Sequence, residues 1–386
     1  MTEESEVAAD VAILGAGAAG ATAASALAGR GVSVVLIANN PRHPPEFRAE
    51  KIGEQQVSMF DGAGLGPAAR AVLTTFDGVW LRRFGREVER GTEREYGGDY
   101  AMLVDALRAG LPPAVRQMIG RVETIETGPE EQRLTLSDGR MARARLLVMA
   151  TGLSEAALKK VGIGRDTYSR HHSLAAGFDL NRPISDFPWP SLVWAGDRWT
   201  DPRLSYLTLF PIGTATRANL FVYRSPFEDW TKALRDDPDP TLNAMIPGFE
   251  REFGELAVDG PVTIRPIDLA RSTGVERDGV VVVGDAFMSV CPITGTGIDK
   301  ALNDVTLLCR DHIPKWLATP GMPTSKIAEF YADPAKRSRD AHAVKLSVES
   351  KAIKYDQSVR WRLRRLRSAW LGRFRYVRTP WAAERM

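Results

Sequence analysis

The sequence predicts an α/β architecture in which a parallel sheet with helices is joined to an antiparallel sheet and closed by a helical C-terminus. Three observations carry this. Near the start, the apolar run Val11-Ala-Ile-Leu14 leads into Gly15-x-Gly17-x-x-Gly20, and the alanine-rich stretch Ala21–Ala28 follows. That is a buried strand, a tight turn and a helix start. From Arg170 to Pro261 the composition shifts to aromatic and β-branched segments, as in long antiparallel strands. At Val280-Val-Val-Val-Gly-Asp-Ala286 a buried parallel strand returns, followed by Pro292-Ile-Thr-Gly-Thr-Gly297 and a helical stretch to Cys309.

The glycines of the first motif each have a physical task. Gly15 permits the turn, Gly17 lets the backbone approach a pyrophosphate, and Gly20 lets helix and strand pack closely. At Ala18, Ala19 and Gly20 the first helical turn offers unpaired N–H groups and a positive dipole end. This is a Rossmann-like dinucleotide site. The second parallel strand is read at Gly31–Ile37. An acid that holds a ribose is expected about 20 residues beyond the glycines. Ala38-Asn39-Asn40 stands there instead, so Asn39 or Asn40 is left to bond the ribose hydroxyls without charge assistance.

A basic, proline-rich loop spans Pro41–Phe47, and Lys51-Ile-Gly-Glu54 precedes a helix from Gln55. Trp80–Phe84 and Glu87–Thr92 read as a hairpin, and Tyr100–Ala109 as a helix. Arg121–Thr127, Gln132–Ser137 and Met141–Val148 read as a three-strand meander that ends on the small-residue turn Ala150-Thr151-Gly152. In the middle segment, strands are expected at His171–Leu180, Ser191–Ala195, Ser205–Phe210 and Arg217–Tyr223. Helices over Phe227–Phe253, broken at 238–240, then follow. Helices are also expected at 324–350 and in a basic tail at 356–378.

Composition narrows the classes. No apolar run reaches the roughly 18 residues of a membrane span, and the acidic start Met1-Thr-Glu-Glu-Ser-Glu6 is unlike a secretory signal. Two cysteines, Cys291 and Cys309, without a CxxC spacing point to a reducing, cytoplasmic setting. The five histidines form no metal-ligand spacing, so no metal is expected. The net charge of +3 is unevenly placed. Residues 357–386 hold nine arginines and one acid, Glu384, a net +8, which leaves 42 basic against 47 acidic residues before them. Leu363, Leu366 and Trp370 fall on one face of this stretch, an amphipathic basic pattern. Such a tail suits an acidic partner or an anionic membrane surface. No recognition module for nucleic acid accompanies it.

The three motifs in their order, Gly15-x-Gly17-x-x-Gly20, Ala150-Thr151-Gly152 and Gly284-Asp285-Ala286 with Pro292-x-x-Gly295-x-Gly297, resemble the flavoprotein monooxygenases of the para-hydroxybenzoate hydroxylase type. They equally resemble the flavin-dependent halogenases and geranylgeranyl reductases. The resemblance covers most of residues 9–310. It implies FAD as cofactor, with Gly284 and Asp285 toward the ribityl chain and Pro292, Gly295, Thr296 and Gly297 toward the flavin pyrimidine edge. A carboxylate at a strand end suits ribityl hydroxyls. A helix N-terminus stabilises negative charge on a reduced flavin. The resemblance also places Lys51, Gly53 and Glu54 near the flavin. It divides the chain into FAD-binding segments at 1–75, 99–169 and 263–323, a substrate-domain hairpin at 76–98, a substrate domain at 170–262, and C-terminal helices with the basic tail at 324–386. The Ala150-Thr151-Gly152 turn departs from the Asp-Gly of the simple hydroxylases, which leaves open either NAD(P)H or a separate flavin reductase as electron source.

The expected activity is hydroxylation of an aromatic substrate, free or presented on a peptide or carrier, by molecular oxygen through a flavin hydroperoxide. The alternatives are a flavin-dependent reductase of an alkene or prenyl chain, a halogenase (though the W-x-W-x-I-P signature is absent) and a flavin-bound scaffold. Strand alternation puts His172, Leu174 and Ala176 on one face and His171 on the other, so one histidine faces the substrate. His172, Lys51 and Glu54 are the catalytic candidates, since histidine titrates near neutrality. Arg82 and Arg83 are candidates for a substrate carboxylate, and Trp189, Trp194, Trp199, Tyr206 and Phe210 for an aromatic pocket.

Overall fold

A computed structural model of the chain describes residues 5–83, 85–197, 200–356, 358–361 and 363. The opening strand, Glu6–Leu14, lies at the middle of a seven-stranded sheet. It pairs in parallel with Val34–Ala38 on one side and Met141–Met149 on the other. Val115–Ile119 extends the first side, again in parallel. The nine-residue strand Met141–Met149 is shared along its length. Its first half pairs antiparallel with the meander strand Gln132–Leu136, and its last three residues pair in parallel with Val280–Val282. Continuous apolar runs explain the placement, because both faces of this sheet are covered and period-2 alternation has no purpose there. Val11, Ala12 and Ile13 are each fully buried, and so are Val280, Val281 and Val282. The second strand begins at Val34, later than the sequence suggested. Gly31, at φ 77°, and the residues after it close the first helix, Ala18–Ala28.

A second seven-stranded sheet runs in the order Val258–Thr273, Gly164–Leu180, Ala215–Val222, Leu204–Ile212, Leu192–Trp194, Trp80–Arg83, Arg86–Arg90. All its pairings are antiparallel except that of Leu192–Trp194 with Trp80–Arg83. The hairpin expected near residue 80 is thus the edge of this sheet. The 16-residue strand Val258–Thr273 was not expected, because Gly260, Pro261 and Pro266 break any strand pattern in the sequence. It lies at the edge, where a proline that cannot donate to the ladder does least harm. The helices Asp229–Asp236, Pro238–Met245 and Pro247–Phe253 cover one face of the sheet over Trp189, Trp194, Leu234, Leu242 and Phe249. The break expected at 238–240 falls at Asp237 instead. Pro238 opens the next helix, a position where its missing N–H costs nothing.

A small sheet of Lys51–Gly53, Arg94–Gly97 and Thr74–Asp77 fills the corner between the two large ones. The helices expected at 324–350 are two. Thr324–Ala332 ends at Asp333, whose carboxylate caps the long helix Pro334–Tyr355. The expected amphipathic stretch beyond Leu363 lies outside the described residues. No helix among the described residues is long and apolar enough to cross a membrane.

Candidate active site

The three sheets enclose one continuous cavity of about 1630 Å³. A pocket for a drug-sized molecule occupies roughly 300–1,000 Å³, so this one has room for a dinucleotide and a second molecule. At one end lie Gly15, Gly17, Ala18 and Ala19 with Asn39 and Asn40. Gly15, at φ 105°, makes a turn that other residues rarely adopt. Gly17 is the N-cap of the first helix and supplies no side-chain cap; the Tyr100 hydroxyl accepts the Ala18 N–H at the start of that helix.

Asp285, Pro292, Gly295, Thr296 and Gly297 line a further stretch of the wall, and a Cβ on the preceding Gly284 would lie 3.8 Å from the Ala19 methyl. Gly295 is left-handed, at φ 69°, and a Cβ there would meet nothing within 4 Å. The backbone is therefore bare toward the cavity just before the helix Gly297–Leu307, whose N-cap also lacks a side-chain bond. Gly152 and the turn Ala150-Thr151 lie along the wall as well. Glycine cradles at two helix starts with a carboxylate beside one of them are a donor and acceptor set that fits a flavin dinucleotide.

Two of the predicted cofactor residues act through packing and do not line the cavity. A Cβ on Gly20 would lie 1.8 Å from the Gly15 carbonyl oxygen. Gly284, at φ 62°, places its would-be Cβ 3.3 Å from the Ala301 methyl. Both glycines let the first and third motifs close on their helices.

Lys51, Gly53 and Glu54 line the cavity, and both charged side chains have partners. The Lys51 ammonium donates to Glu95 at 3.1 Å, and the Tyr96 hydroxyl donates to Glu54 at 2.5 Å. His172 is a correction, because it does not line the cavity. His171 adopts φ 46° and the pairing register shifts between Ser169 and Ser173, so the bulge defeats simple alternation. The His172 ring is buried beneath the long C-terminal helix, with Nε2 3.1 Å from the Ser347 carbonyl and Nδ1 3.0 Å from Ser169 Oγ. Burial, assisted by Lys351, lowers its pKa to about 4 and favours the neutral ring. Trp189 and Trp194 belong to the core beneath the helices, and Phe210 to a small core by Phe76. Trp199 lies outside the described residues. Arg82 pairs with Glu252, away from the cavity. Among the described residues of the proposed aromatic lining, Tyr206 alone reaches the cavity, together with Phe221, their ring centroids 4.9 Å apart.

Sequence reasoning missed the charged seam that crosses the cavity. Arg48 Nη1 lies 3.1 Å from Asp285 Oδ2, and Arg48 Nη2 lies 3.0 Å from Glu46. Arg265, from the unexpected strand, meets the same Glu46 at 3.0 Å. Burial opposes charge on Glu46, but the His43 hydrogen bond and the two arginines prevail and hold its pKa at about 2. Burial likewise works against Arg48, yet Asp285, Tyr100 and Glu46 raise its pKa. Arg48 therefore supplies a cation beside Tyr100, its Cζ 5.9 Å from the ring centroid. Glu50 is the other missed group. Buried in the cavity wall and 2.7 Å from Arg217 Nη1, it is pushed up to about 7 by its burial. The only advance signal was the basic character of the loop after Pro41.

The family model described as FAD binding domain matches residues 8–95. The chain is 27% identical over 360 residues to 3-amino-4-hydroxybenzoate 2-monooxygenase of Streptomyces cremeus, covering 86% of this chain and 84% of that one. It is 26% identical over 322 residues to digeranylgeranylglycerophospholipid reductase 1 of Methanopyrus kandleri, covering 76% and 77%. Among solved structures, p-nitrophenol 4-monooxygenase PnpA of Pseudomonas putida DLL-E4 superposes with a TM-score of 0.72 at 15% identity, over 95% of this chain and 94% of that one. Its matched domain and its relatives support an FAD-dependent oxidoreductase, and the solved structure shares its fold.

Proposed function

We propose that the chain is an FAD-dependent monooxygenase that hydroxylates an electron-rich aromatic ring. The observation that carries this is the continuity of the cavity. It leads from the glycine motif past Asp285 and Gly295 to a wall of the antiparallel sheet that bears Tyr206, Thr208, Asn219 and Phe221. When bound, reduced flavin supplies two electrons and activates molecular oxygen. The protein's own work is to hold the ring against that end of the cavity and keep water out. Tyr206 and Phe221 present aromatic faces, and the Tyr206 hydroxyl is committed to the Ile293 carbonyl at 2.9 Å, which fixes the ring beside the Pro292–Gly297 turn. Glu50 is a wall group able to hold or release a proton near neutrality, a property suited to a phenol or aromatic amine.

The relatives that reduce prenyl chains favour a second reading, in which the same cavity takes an alkene. Oxygen-isotope labelling separates the two. Holoenzyme is incubated with a panel of aminophenols and hydroxybenzoates under labelled dioxygen, with NADPH in one arm and photoreduced flavin in another, so that the electron donor does not limit the result. The expected product carries one labelled oxygen atom. Substrate-dependent reoxidation of the flavin without oxygen, and no labelled product, overturns the hydroxylase reading in favour of the reductase. Labelled product in the second arm alone points to a separate reductase as partner.

We also propose that the arginine-rich residues 357–386 bring the enzyme to an acidic surface, whether a carrier that presents the substrate or an anionic membrane. The support is their net +8 against a net −5 in the rest of the chain. Deleting them is expected to leave FAD content unchanged and to abolish co-sedimentation with phosphatidylglycerol vesicles or retention by an acidic carrier protein at low salt. Equal binding of both by the truncated protein rejects the proposal.

A further inference from the structure

The long helix Pro334–Tyr355 lies well outside the matched FAD binding domain, yet it reaches both ends of the turn that runs from Gly284 to Gly297. At the first end, Asp304 Oδ2 accepts the Gly284 N–H at 3.2 Å. Asp304 is itself held by Lys300 Nζ at 2.9 Å and by Lys336 Nζ, from the long helix, at 3.0 Å. Lys336 also donates to Asp340 one helical turn on, at 3.1 Å. At the second end, Ser347 Oγ accepts the Cys291 N–H at 3.0 Å while donating to the Ala343 carbonyl. Leu346, between these contacts, lines the cavity itself.

Four charged side chains are buried in the first of these contacts, and all have side-chain exposures of 10% or less. Buried charges are costly to desolvate, and an apolar set of the same volume often stabilises as well or better. Their distinctive contribution is directional. Asp304 fixes the amide of Gly284, the residue that sets the course of the backbone into Asp285. Ser347 fixes the amide of Cys291, the residue before Pro292. Between these two points the chain makes one short 3₁₀ segment, Gly284–Ala286, and an isolated antiparallel bridge from Met288 to Arg271, and at its two ends the Gly284 and Cys291 amides are held by Asp304 and Ser347.

We propose that the long C-terminal helix is a positioning clamp on the flavin-side turn, acting through Lys336–Asp304 at Gly284 and through Ser347 at Cys291. Cofactor affinity and the environment of the flavin ring thereby depend on a helix that is remote in sequence from the glycine motif. Without the clamp the turn relaxes in the apoprotein, and FAD must re-order it on binding.

The test uses the full-length apoprotein titrated with FAD below the unfolding range. Ser347→Ala and Lys336→Met are compared with Leu242→Ala, which removes core volume in the antiparallel-sheet domain and touches neither end of the turn. Each clamp variant is expected to weaken FAD by about five- to hundredfold, the range set by an unsatisfied buried polar group, and to shift the visible flavin absorption bands. Leu242→Ala is expected to lower the unfolding temperature and leave both unchanged. A smaller loss of affinity with an unaltered spectrum in Ser347→Ala overturns the clamp, as does an equal loss in Leu242→Ala. Should Lys336→Met fail to fold, Ser347→Ala alone decides. The measurement is of cofactor binding, so its outcome is independent of whether the substrate is hydroxylated or reduced.

Discussion

Replacing Gly20 with alanine is expected to abolish FAD binding and to cost at least about 3 kcal/mol of stability. The new Cβ would sit 1.8 Å from the Gly15 carbonyl oxygen and 3.5 Å from the Ala150 Cβ. A backbone oxygen cannot swing aside as a side chain does, so the first helix must move away from the strand end. That movement opens the contact among the opening strand, the first helix and the Ala150 turn. It also shifts the first-turn N–H groups that the pyrophosphate needs. Calorimetric unfolding and the flavin content of purified protein check this. Wild-type FAD content in the alanine variant would rule out the close approach described here. Gly17→Ala is the informative comparison. A Cβ there meets only the Tyr100 hydroxyl, at 3.7 Å, so its cost is confined to the space the cofactor occupies.

Asp285→Ala is expected to weaken FAD by about 10- to 150-fold, the equivalent of one charged hydrogen bond of about 1.5–3 kcal/mol. Asp285→Asn, which keeps an oxygen acceptor, should lose less. The geometry behind this is the approach of Arg48 to Asp285 at 3.1 Å within the cavity wall. A cofactor hydroxyl bound at Asp285 would share that carboxylate with Arg48, so the two residues are expected to be coupled. In a double-mutant cycle, Arg48→Met and Asp285→Ala should be non-additive by more than the roughly 0.5 kcal/mol seen between distant sites. Flavin fluorescence during titration of the apoprotein measures both effects. Affinity within twofold of wild type in Asp285→Ala would remove this residue from the cofactor site.

What could be read in advance was whatever local chemistry dictates. Gly15 and Gly17 of the first motif, Val283 and Asp285 just beyond the returning strand, and the Pro292–Gly297 turn all line one cavity, and each was legible because glycine spacing and apolar runs are local properties of the chain. The charged seam was hidden for the opposite reason. Glu46, Arg48, Arg265 and Asp285 come from three distant segments, and none stands in a pattern that announces its partner. His172 was misplaced because period-2 reasoning assumes an unbroken strand, and the bulge at His171 breaks it. The edge strand Val258–Thr273 was missed because Pro261 and Pro266 argue against a strand in every position except an edge, and edges are set by topology. The role of the long C-terminal helix was likewise invisible, since Ser347 and Lys336 are ordinary helix residues until their partners are known.

The shared pairing of Met141–Met149 bears on the order in which the sheet can assemble during synthesis. As the chain leaves the ribosome, the opening strand can find Val34–Ala38 early, but its other neighbour is about 135 positions downstream, and the last strand of that sheet, Val280–Val282, comes much later still. Long-range parallel pairings of this kind close slowly. Asp285 and Gly295 follow that last strand, and the helix that braces their turn follows them. A nascent chain can therefore assemble the part of the cavity around Gly15 and Gly17 while the wall bearing Asp285 and Gly295 has yet to be translated. A fragment that ends before residue 280 lacks that wall entirely, so tight cofactor retention is expected only of a chain made nearly to completion.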